Sequence, residues 1–272
     1  MRFGVSTFVT DEGIGPAELG RALEERGLAA LYVAEHTHIP VKRESPWPGG
    51  DKLPRWYYRT LDPFVALTAA AVVTERLEVA TGIALVVQRD PIVLAKEVAS
   101  LDQVSGGRAV LGVGAGWNRE EMRNHGTDPR TRMRLLEERV RAVKALWTRD
   151  EAEFHGEFVD FDPVFLYPKP VQSPHPPVML GGAGPTTFDR VVAFGDGWMP
   201  IYGRGTEALA DQIADLRERA GRRVPVTVFG VPPEAAVVAE LEAAGVDQVL
   251  FNLKTLPEAE TLRELDLLAG LL

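Results

Sequence analysis

The sequence predicts an α/β protein built as a (β/α)8 barrel, and two observations lead to this fold class. Eight runs rich in valine, leucine and isoleucine alternate with segments of helical spacing along the chain. Apolar strands that alternate with amphipathic helices are typical of a parallel sheet covered by helices. Eight such units in about 250 residues match the size of a (β/α)8 barrel. We therefore expect a single domain over residues 1–272.

The predicted strands come in a regular order, and each is followed by a helical segment. They are Phe3–Val9, Ala30–Ala34, Leu77–Val87, Ala109–Gly114, Val178–Gly181, Gly197–Ile201, Val224–Gly230 and Gln248–Leu253. The competing fold is an open doubly wound sheet, which normally has a glycine-rich turn after its first strand. The first strand here is followed by TDEGIGPAEL instead, and this favours the barrel.

Three of the helices carry clear local signals. Asp62-Pro63 and Asp90-Pro91 each combine an N-cap aspartate with proline at the first helical position. The sequence SGG at 105–107 ends the second of these helices. A further helix has its apolar residues at positions i, i+4, i+7 and i+11, which places them on one face. These residues are Leu136, Val140, Val143 and Trp147.

Two connections are long. Residues 35–61, after the second strand, are rich in Pro, Trp, Tyr and Arg. Residues 149–177, before the fifth strand, contain FHGEFVDFDP, which predicts a small hairpin. In a (β/α)8 barrel the active site forms at the C-terminal ends of the strands. The long loop after the second strand is therefore expected at the functional face.

The composition excludes several classes of protein. Hydrophobic residues make up 45% and charged residues 25% of the chain, as in a soluble globular protein. A net charge of −9 argues against nucleic-acid binding, which needs a basic surface. The absence of cysteine excludes disulfides and thiolate metal sites. MRFGVSTFV is typical of a strand rather than a signal peptide, and no apolar run has the length of a membrane span, so we expect a cytoplasmic protein.

The second strand ends in Glu35, His36 and His38, within the sequence LYVAEHTHIP. A His-x-His pair can bind zinc, but such a site needs a third ligand on the same face. None of the remaining histidines directly follows a strand; they are His125, His155 and His175. For His36 and His38 a catalytic role and a purely structural role both remain open, and the structural role has more weight for His38.

Two glycine clusters lie at strand ends. The sequence GGAGP at 181–185 places bare backbone N–H groups between a strand and a helix, which is the geometry of a phosphate site. Tight packing is the alternative explanation. Gly112, Gly114 and Gly116 alternate along the fourth strand. Their missing side chains leave space either for a flat ring or for close packing inside the barrel.

Basic residues gather in two segments at the predicted functional face. Residues 42–59 have a local charge of +3 and residues 119–134 a local charge of +2, in a chain of net charge −9. A ligand that bears phosphate and further negative charge would be attracted to such a rim. Ordinary solvated loops are the alternative.

Together these segments resemble a known family. LYVAEHTHIP, TGIALVVQRDPIVLAKEVASLDQVSGGRAVLGVGAGWNREEMRNHGTDPRTR and PPVMLGGAGPTTFDRVVAFGDGWMP are similar in kind and order to segments of the bacterial-luciferase-like family of flavin and deazaflavin oxidoreductases. The resemblance extends from Met1 to about Ile201. It is greatest to the branch of oxidoreductases that depend on coenzyme F420, an 8-hydroxy-5-deazaflavin.

The resemblance implies roles for particular residues. It implies that His36 faces the reactive ring, that a non-prolyl cis peptide at Gly82-Ile83 supports the ring, and that the turn after the fifth strand holds the cofactor phosphate. No metal ligand is predicted. The cofactor-binding residues that it implies are Gly82, Ile83, Ala84, Gly114, Gly116, Trp117, Asn118, Gly181, Gly182, Ala183 and Gly184.

The sequence departs from the family pattern at three places. Ala115 stands where luciferase has an arginine that helps to hold the phosphate, so backbone amides or another basic residue must hold it here. His36-Thr37-His38 stands where luciferase has two adjacent histidines. Only GVPP links the seventh strand to its helix, where the family often has a long insertion. The active site is therefore expected to be more open, or to be covered by a partner subunit.

The resemblance and the residues together predict an oxidoreductase that transfers a hydride between F420 and a small organic substrate. His36 is the predicted general acid/base, and Glu35 its orienting partner. Trp47, Trp56 and Tyr57 on the long second loop are predicted to form an aromatic lid over the substrate, or else to pack only on one another. A homodimer, and a separate reductase that recycles the cofactor, are further expectations.

Three alternatives remain open. The first is an FMN-dependent monooxygenase of the same family, which uses reduced flavin and oxygen. A cofactor carrier without turnover and a metal-dependent hydrolase are the others. A closed apolar pocket would favour the monooxygenase. A cleft with a basic rim, through which an anionic tail can reach solvent, would favour F420.

Overall fold

The computed structural model describes all residues 1–272 and confirms the predicted barrel. The strands are β1 (Arg2–Thr7), β2 (Ala30–Val33), β3 (Glu78–Thr81), β4 (Ala84–Leu85), β5 (Ala109–Gly114), β6 (Glu151–His155), β7 (Asp160–Phe165), β8 (Val178–Gly181), β9 (Gly197–Met199), β10 (Thr227–Val231) and β11 (Gln248–Asn252). The helices are α1 (Pro16–Glu25), α2 (Pro63–Ala71), α3 (Pro91–Ser105), α4 (Arg119–Asn124), α5 (Arg132–Thr148), α6 (Thr187–Phe194), α7 (Leu209–Ala220), α8 (Ala235–Ala243) and α9 (Glu258–Ala269).

Eight parallel strands form the ring, in the order β10-β11-β1-β2-β3-β5-β8-β9. β9 and β10 close it through the parallel bridges Trp198–Val226 and Ile201–Phe229. The short strand β4 continues the direction of β3 and pairs with β5. β6 and β7 form the predicted antiparallel hairpin, which is a separate sheet. Every strand of the ring therefore delivers its C-terminal end to one common face.

The third predicted strand differs most from its expected bounds. Leu77–Val87 is not one continuous strand, because β3 ends at Thr81 and the backbone bulges at Gly82-Ile83 before β4. The peptide bond between Gly82 and Ile83 is cis, as the family resemblance implied. Residues Val86–Gln88 then form a short 3-10 turn.

The predicted helix signals are confirmed. Asp62 caps α2 by accepting hydrogen bonds from the backbone N–H groups of residues 64 and 65, and Asp90 caps α3 in the same way. Gly106 ends α3 in the left-handed conformation, with φ of 67°. The apolar stripe on α5 is buried at Leu136, Val140, Val143 and Trp147. No helix combines the length and the apolar character that a membrane span requires.

Side chains along each strand point alternately toward the helices and into the barrel, and this produces two apolar layers. Leu31 and Val33 of β2 belong to the large core between strands and helices, whereas Ala30 and Tyr32 point into the barrel. The residues that fill the barrel interior are Ala30, Tyr32, Ala80, Val110, Met179, Met199 and Leu250. Because these side chains close the interior, space for a ligand remains at the mouth.

Packing inside the ring explains one of the fourth-strand glycines. A Cβ added at Gly112 would lie 2.1 Å from the carbonyl oxygen of Thr81 and 2.7 Å from Cε of Met199. The backbone carbonyl cannot move without distorting β3. Gly112 is therefore required for close packing inside the barrel, and no space for a cofactor ring exists at this position.

We expect Gly112→Ala to lower the free energy of unfolding by about 1–3 kcal/mol, because the added methyl group overpacks the interior of the barrel. Gly184→Ala is the matched control, since its Cβ would meet nothing closer than 3.9 Å and we expect a change within about 0.5 kcal/mol. Denaturant midpoints of the two variants measure the difference. Equal midpoints would contradict the packing explanation.

Candidate active site

His36 lies at the mouth of the barrel, three residues beyond the end of β2. Its side chain is buried, with 6% of its surface exposed. The ring centroids of Tyr57 and Trp117 are 5.1 Å and 5.8 Å from that of His36. The structure thus places His36 beneath an aromatic pair contributed by the second loop and by the turn after β5.

The carboxylate that holds His36 is Glu121, on α4. His36 Nδ1 lies 2.7 Å from Oε2 of Glu121, and the backbone N–H of Thr37 donates to Oε1 at 3.2 Å. Glu121 is fully buried. Because an ionised carboxylate only accepts hydrogen bonds, Nδ1 carries the proton that His36 donates to it. In the neutral ring Nε2 is then the acceptor, and it has no partner within the protein.

The prediction that Glu35 orients His36 is wrong. Glu35 accepts hydrogen bonds from the backbone N–H of Leu85 at 2.6 Å and from Nε of Arg89 at 2.7 Å. Successive residues after a strand point to opposite sides, so the carboxylate next to His36 in sequence faces away from it. Glu35 instead fixes the chain just beyond the Gly82-Ile83 bulge.

Arg89 is the centre of a charged network behind this bulge. It donates to Glu35, to Asp62 at 2.6 Å and to Glu97 at 2.9 Å. Burial alone would lower the pKa of Arg89, but Glu35 and the other two carboxylates raise it above its usual value. Burial raises the pKa of Glu97, against the opposing effect of Arg89. The network ties the second loop, the bulge and α3 together.

The bulge places Ile83 between two strand ends. A Cβ at Gly114 would lie 2.0 Å from Cδ1 of Ile83, and one at Gly181 would lie 3.6 Å from its Cγ2. The end of the Ile83 side chain therefore occupies the space beside Gly114, and this favours the close-packing explanation of this glycine over the flat ring. Ala84 is fully buried in β4. Ile83 itself is the side chain of this group that reaches the mouth.

The turn after β5 carries an unsatisfied polar group. Gly116 has φ of 76°, a conformation that favours glycine. Asn118 caps α4, since its Oδ1 accepts from the backbone N–H of Glu121 at 3.3 Å. Its Nδ2 is buried and has no hydrogen-bond partner. Buried donors are normally paired, so this one suits a polar atom of a bound ligand.

The turn after β8 is not explained by packing. A Cβ at Gly181 or Gly184 would meet only ordinary contacts, at 3.6 Å and 3.9 Å. Gly182 has φ of 113°, and its carbonyl accepts from Nε1 of Trp198 at 2.7 Å. The N-terminus of α6 has no side-chain cap. Residues 182–184 are exposed, so their backbone N–H groups are available to an anion.

Two of the three aromatic residues predicted to form a lid, Trp47 and Tyr57, contact each other, and their role as a lid stays a prediction. Trp47 Nε1 donates to the hydroxyl of Tyr57 at 3.0 Å. Tyr57 contacts Phe8 with a centroid distance of 4.5 Å, and burial raises its pKa. Trp56 does not join this cluster, because the 3-10 turn at Arg55–Tyr58 directs it to solvent, where it is 41% exposed.

His38 and His125 lie side by side, 5.3 Å apart between ring centroids. Thr37 Oγ1 lies 3.0 Å from Nδ1 of His38 and 2.8 Å from Nε2 of His125, and Asn124 Nδ2 lies 2.9 Å from Nε2 of His38. The sequence gave no sign of this pairing. No group of three or more His, Cys, Asp or Glu side chains is arranged to hold a metal ion.

Fold and site together define a class of protein, a (β/α)8 barrel of luciferase-like type with a histidine, a bulge and two glycine turns at its mouth. The chain belongs to the luciferase-like monooxygenase family, whose model matches residues 5–259. It is 44% identical over 263 residues to an uncharacterized protein of Mycobacterium tuberculosis. The aligned region covers 93% of this chain and 92% of that protein.

Other relatives differ in their cofactors. An FMNH(2)-dependent dimethylsulfone monooxygenase of Pseudomonas putida is 35% identical over 199 residues, which cover 71% of this chain and 53% of that protein. Among solved structures, a monooxygenase from Streptomyces bottropensis matches with a TM-score of 0.84 at 20% identity, covering 100% of this chain and 98% of that one. An F420-dependent secondary alcohol dehydrogenase matches with a TM-score of 0.76 at 18% identity, covering 100% of this chain and 98% of that one. Both structures share the fold.

Proposed function

We propose that this protein is an F420-dependent oxidoreductase that transfers a hydride between the deazaflavin and a small organic substrate. One observation carries the proposal: the cleft beside Trp117 is open and lined by arginines. A cavity of about 530 Å³ adjoins Gly116 and Trp117, and its charged lining residues are three arginines, Arg119, Arg123 and Arg132, and two glutamates, Glu44 and Glu120. A flavin monooxygenase has to exclude water with a closed apolar pocket, whereas this cleft suits an anionic coenzyme that extends to solvent.

The residues at the mouth fit such a coenzyme. Ile83 at the bulge offers an apolar support for a ring, and the free Nδ2 of Asn118 offers a buried donor. The turn at 181–184 offers backbone N–H groups to a phosphate. Ala115 leaves the turn after β5 without an arginine, so the phosphate depends on this backbone turn and on nearby basic residues.

His36 is the proposed general acid/base. Bound deazaflavin supplies hydride transfer rather than one-electron or oxygen chemistry. Glu121 holds Nδ1 of His36, which leaves Nε2 free to take a proton from a substrate hydroxyl or to return it. The rings of Tyr57 and Trp117 pack 5.1 Å and 5.8 Å from the imidazole of His36, whose side chain is only 6% exposed. Trp47 supports Tyr57, which makes these two residues the proposed lid.

An FMN-dependent monooxygenase is the second candidate. The observation that favours it is the 35% identity to the dimethylsulfone monooxygenase. This candidate would need reduced flavin from a separate reductase. It also predicts a preference for FMN over F420, so binding distinguishes the two.

Titrations of the purified protein with oxidised F420 and with FMN, followed by cofactor fluorescence, test the proposal. We expect tighter binding of F420. Gly184→Asp should weaken it at least about tenfold, because its carboxylate would repel the phosphate. Ala193→Asp places the same charge at the exposed far end of α6 and should leave binding unchanged. A preference for FMN would establish the second candidate, and binding of neither would remove both.

A further inference from the structure

Consecutive residues after β2 contact the same short helix, α4. His36 meets Oε2 of Glu121, and the backbone N–H of Thr37 donates to Oε1 of that carboxylate at 3.2 Å. The hydroxyl of Thr37 lies 2.8 Å from Nε2 of His125, the residue at which α4 ends. Positions 121 and 125 are one helical turn apart and lie on one face of the helix. Thr37 is therefore held on this face at two points.

The hydroxyl of Thr37 belongs to a hydrogen-bond chain with a defined direction. Nδ2 of Asn124 donates to Nε2 of His38 at 2.9 Å, so a neutral His38 carries its proton on Nδ1. His38 donates this proton to Oγ1 of Thr37 at 3.0 Å. The hydroxyl of Thr37 then donates its own proton to Nε2 of His125. The chain is complete when both imidazoles are neutral.

The surroundings of His125 favour its neutral form. Burial and the neighbouring His38, whose ring centroid is 5.3 Å away, lower the pKa of His125. Arg89 acts on this pKa in the same direction, whereas Glu121 and Glu35 oppose it. If both histidines were protonated, every ring nitrogen would be a donor and two positive charges would lie side by side. The chain is therefore complete at neutral pH and is disrupted in acid.

We infer that Thr37 is a positioning residue for His36, because it fixes the loop after β2 on the face of α4 that carries Glu121. The inference rests on the proposed function and deepens it, since it names a residue that keeps the proposed general base in its orientation. His36 directly precedes Thr37, so a displacement of Thr37 moves the imidazole relative to the buried carboxylate. Thr37 thus acts through Glu121 and His36 and not on the substrate.

Thr37→Val tests the inference, because valine keeps the shape of threonine and lacks the hydroxyl. We expect hydrogen exchange at the amide of residue 37, corrected for its intrinsic rate, to become at least about tenfold faster, since the N–H then separates more readily from Glu121. ¹⁵N NMR should show a larger share of the Nε2–H tautomer of His36. Thr37→Ser keeps a hydroxyl and should restore both signals. Thr148→Val, which removes an exposed hydroxyl at the far end of α5, is the matched control and should change neither.

Two variants of His125 test whether this histidine is the acceptor that holds the hydroxyl of Thr37. Glutamine can place its Oε1 where Nε2 of the imidazole lies, whereas leucine offers no acceptor. At neutral pH we expect the exchange and NMR signals of His125→Leu to match those of Thr37→Val, and those of His125→Gln to match the wild type. In the wild type, exchange at the Thr37 amide should accelerate as the pH falls through the lowered pKa of His125. His125→Gln removes this titrating group and should keep the slow exchange to lower pH.

Coenzyme binding and turnover separate the inference from the proposed function. Thr37→Val should bind F420 within about twofold of the wild type and turn over about tenfold more slowly, because it disturbs the base and not the coenzyme site. Unchanged exchange and tautomer in Thr37→Val would overturn the inference, whether or not F420 binds. A shifted tautomer with unchanged turnover would overturn it too. If the wild type binds no F420 while Thr37→Val shifts the tautomer of His36, the proposed function fails and the positioning role of Thr37 stands.

Discussion

Glu121→Gln is expected to reduce turnover about 100-fold while coenzyme affinity changes little. The carboxylate of Glu121 is the only partner of His36 Nδ1, at 2.7 Å. A glutamine can present its NH₂ group to Nδ1 as readily as its oxygen, and the imidazole then places its proton on Nε2. A base in the wrong tautomer cannot accept a proton from the substrate. Loss of such an orienting partner typically costs about 10–100-fold or more.

Two measurements test this role of Glu121. The ¹⁵N NMR signals of His36 report which ring nitrogen carries the proton, and they need no substrate. We expect Nδ1–H in the wild-type protein and a shift toward Nε2–H in Glu121→Gln. Turnover is followed with a substrate drawn from a panel of alcohols and carbonyl compounds. In a His36→Ala background Glu121→Gln should cause no further loss of turnover, because Glu121 acts only through the histidine.

Glu137→Gln is the matched control for Glu121→Gln. Glu137 lies on the surface of α5, where it pairs with Arg141, so the same chemical change there should alter neither the NMR signals nor turnover. An unchanged tautomer in Glu121→Gln, combined with an additive loss in the double variant, would show that Glu121 is only structural.

The fold could be predicted because its signals are local and repeated. Asp62 and Asp90 each combine a cap with a proline, and the stripe on α5 is spaced at 3.6 residues per turn. The bounds of the strands were harder to predict, because burial in the fold, and not the alternation of apolar residues in the sequence, decides where a strand ends. The bulge at Gly82-Ile83 came from the family resemblance, and no pattern in Leu77–Val87 would have revealed it.

The partner of His36 could not be read from the sequence, because Glu121 is separated from it by 85 residues. Sequence proximity favoured Glu35, which strand geometry turns to the other side. One signal was available. Asn118 is followed three residues later by Glu121 at the start of a helix on the functional face, which resembles a capping box. In a capping box the glutamate returns to its own N-cap, whereas here it crosses to His36.

Glycines could not be divided between packing and binding without coordinates. A Cβ at Gly112 would collide with the backbone carbonyl of Thr81 and one at Gly114 would displace the flexible end of Ile83, whereas a Cβ at Gly184 would make only an ordinary contact at 3.9 Å. All three look alike in sequence, since each is a glycine near a strand end. The difference lies in which neighbour approaches from another strand, and this depends on the closed ring.

Arg89→Met should lower the free energy of unfolding by about 3–5 kcal/mol, because it leaves the buried carboxylate of Glu35 without its counterion. Methionine keeps much of the length of the side chain but none of its charge. Glu35 has only 1% of its side chain exposed and loses its sole charged partner. Asp62 and Glu97 lose theirs as well. Arg55→Met, which breaks an exposed pair with Glu12, is the control and should cost at most about 1 kcal/mol.

The loss in Arg89→Met should depend on pH in a definite direction. Burial already raises the pKa of Glu97 while Arg89 opposes that rise, so removal of Arg89 raises it further. A carboxyl whose pKa is higher in the folded state destabilises the protein above that pKa, and the cost disappears as the pH falls through it. Unfolding midpoints of wild type and Arg89→Met should therefore approach each other as the pH is lowered from neutral through the raised pKa of Glu97 toward the usual pKa of a glutamate carboxyl.

Glu35→Gln in the Arg89→Met background decides whether the charge network or mere packing is responsible for this loss. If the unpaired carboxylate is the cause, neutralising it should restore a large part of the lost stability, because a neutral amide costs far less to bury than a carboxylate. If only the packing of the Arg89 side chain matters, the second substitution should restore nothing. If the loss of stability in Arg89→Met is the same at every pH, this would also indicate that packing is the cause. Rescue would instead show that the unpaired carboxylate of Glu35, which lies beside the bulge near the mouth of the barrel, causes the loss of stability.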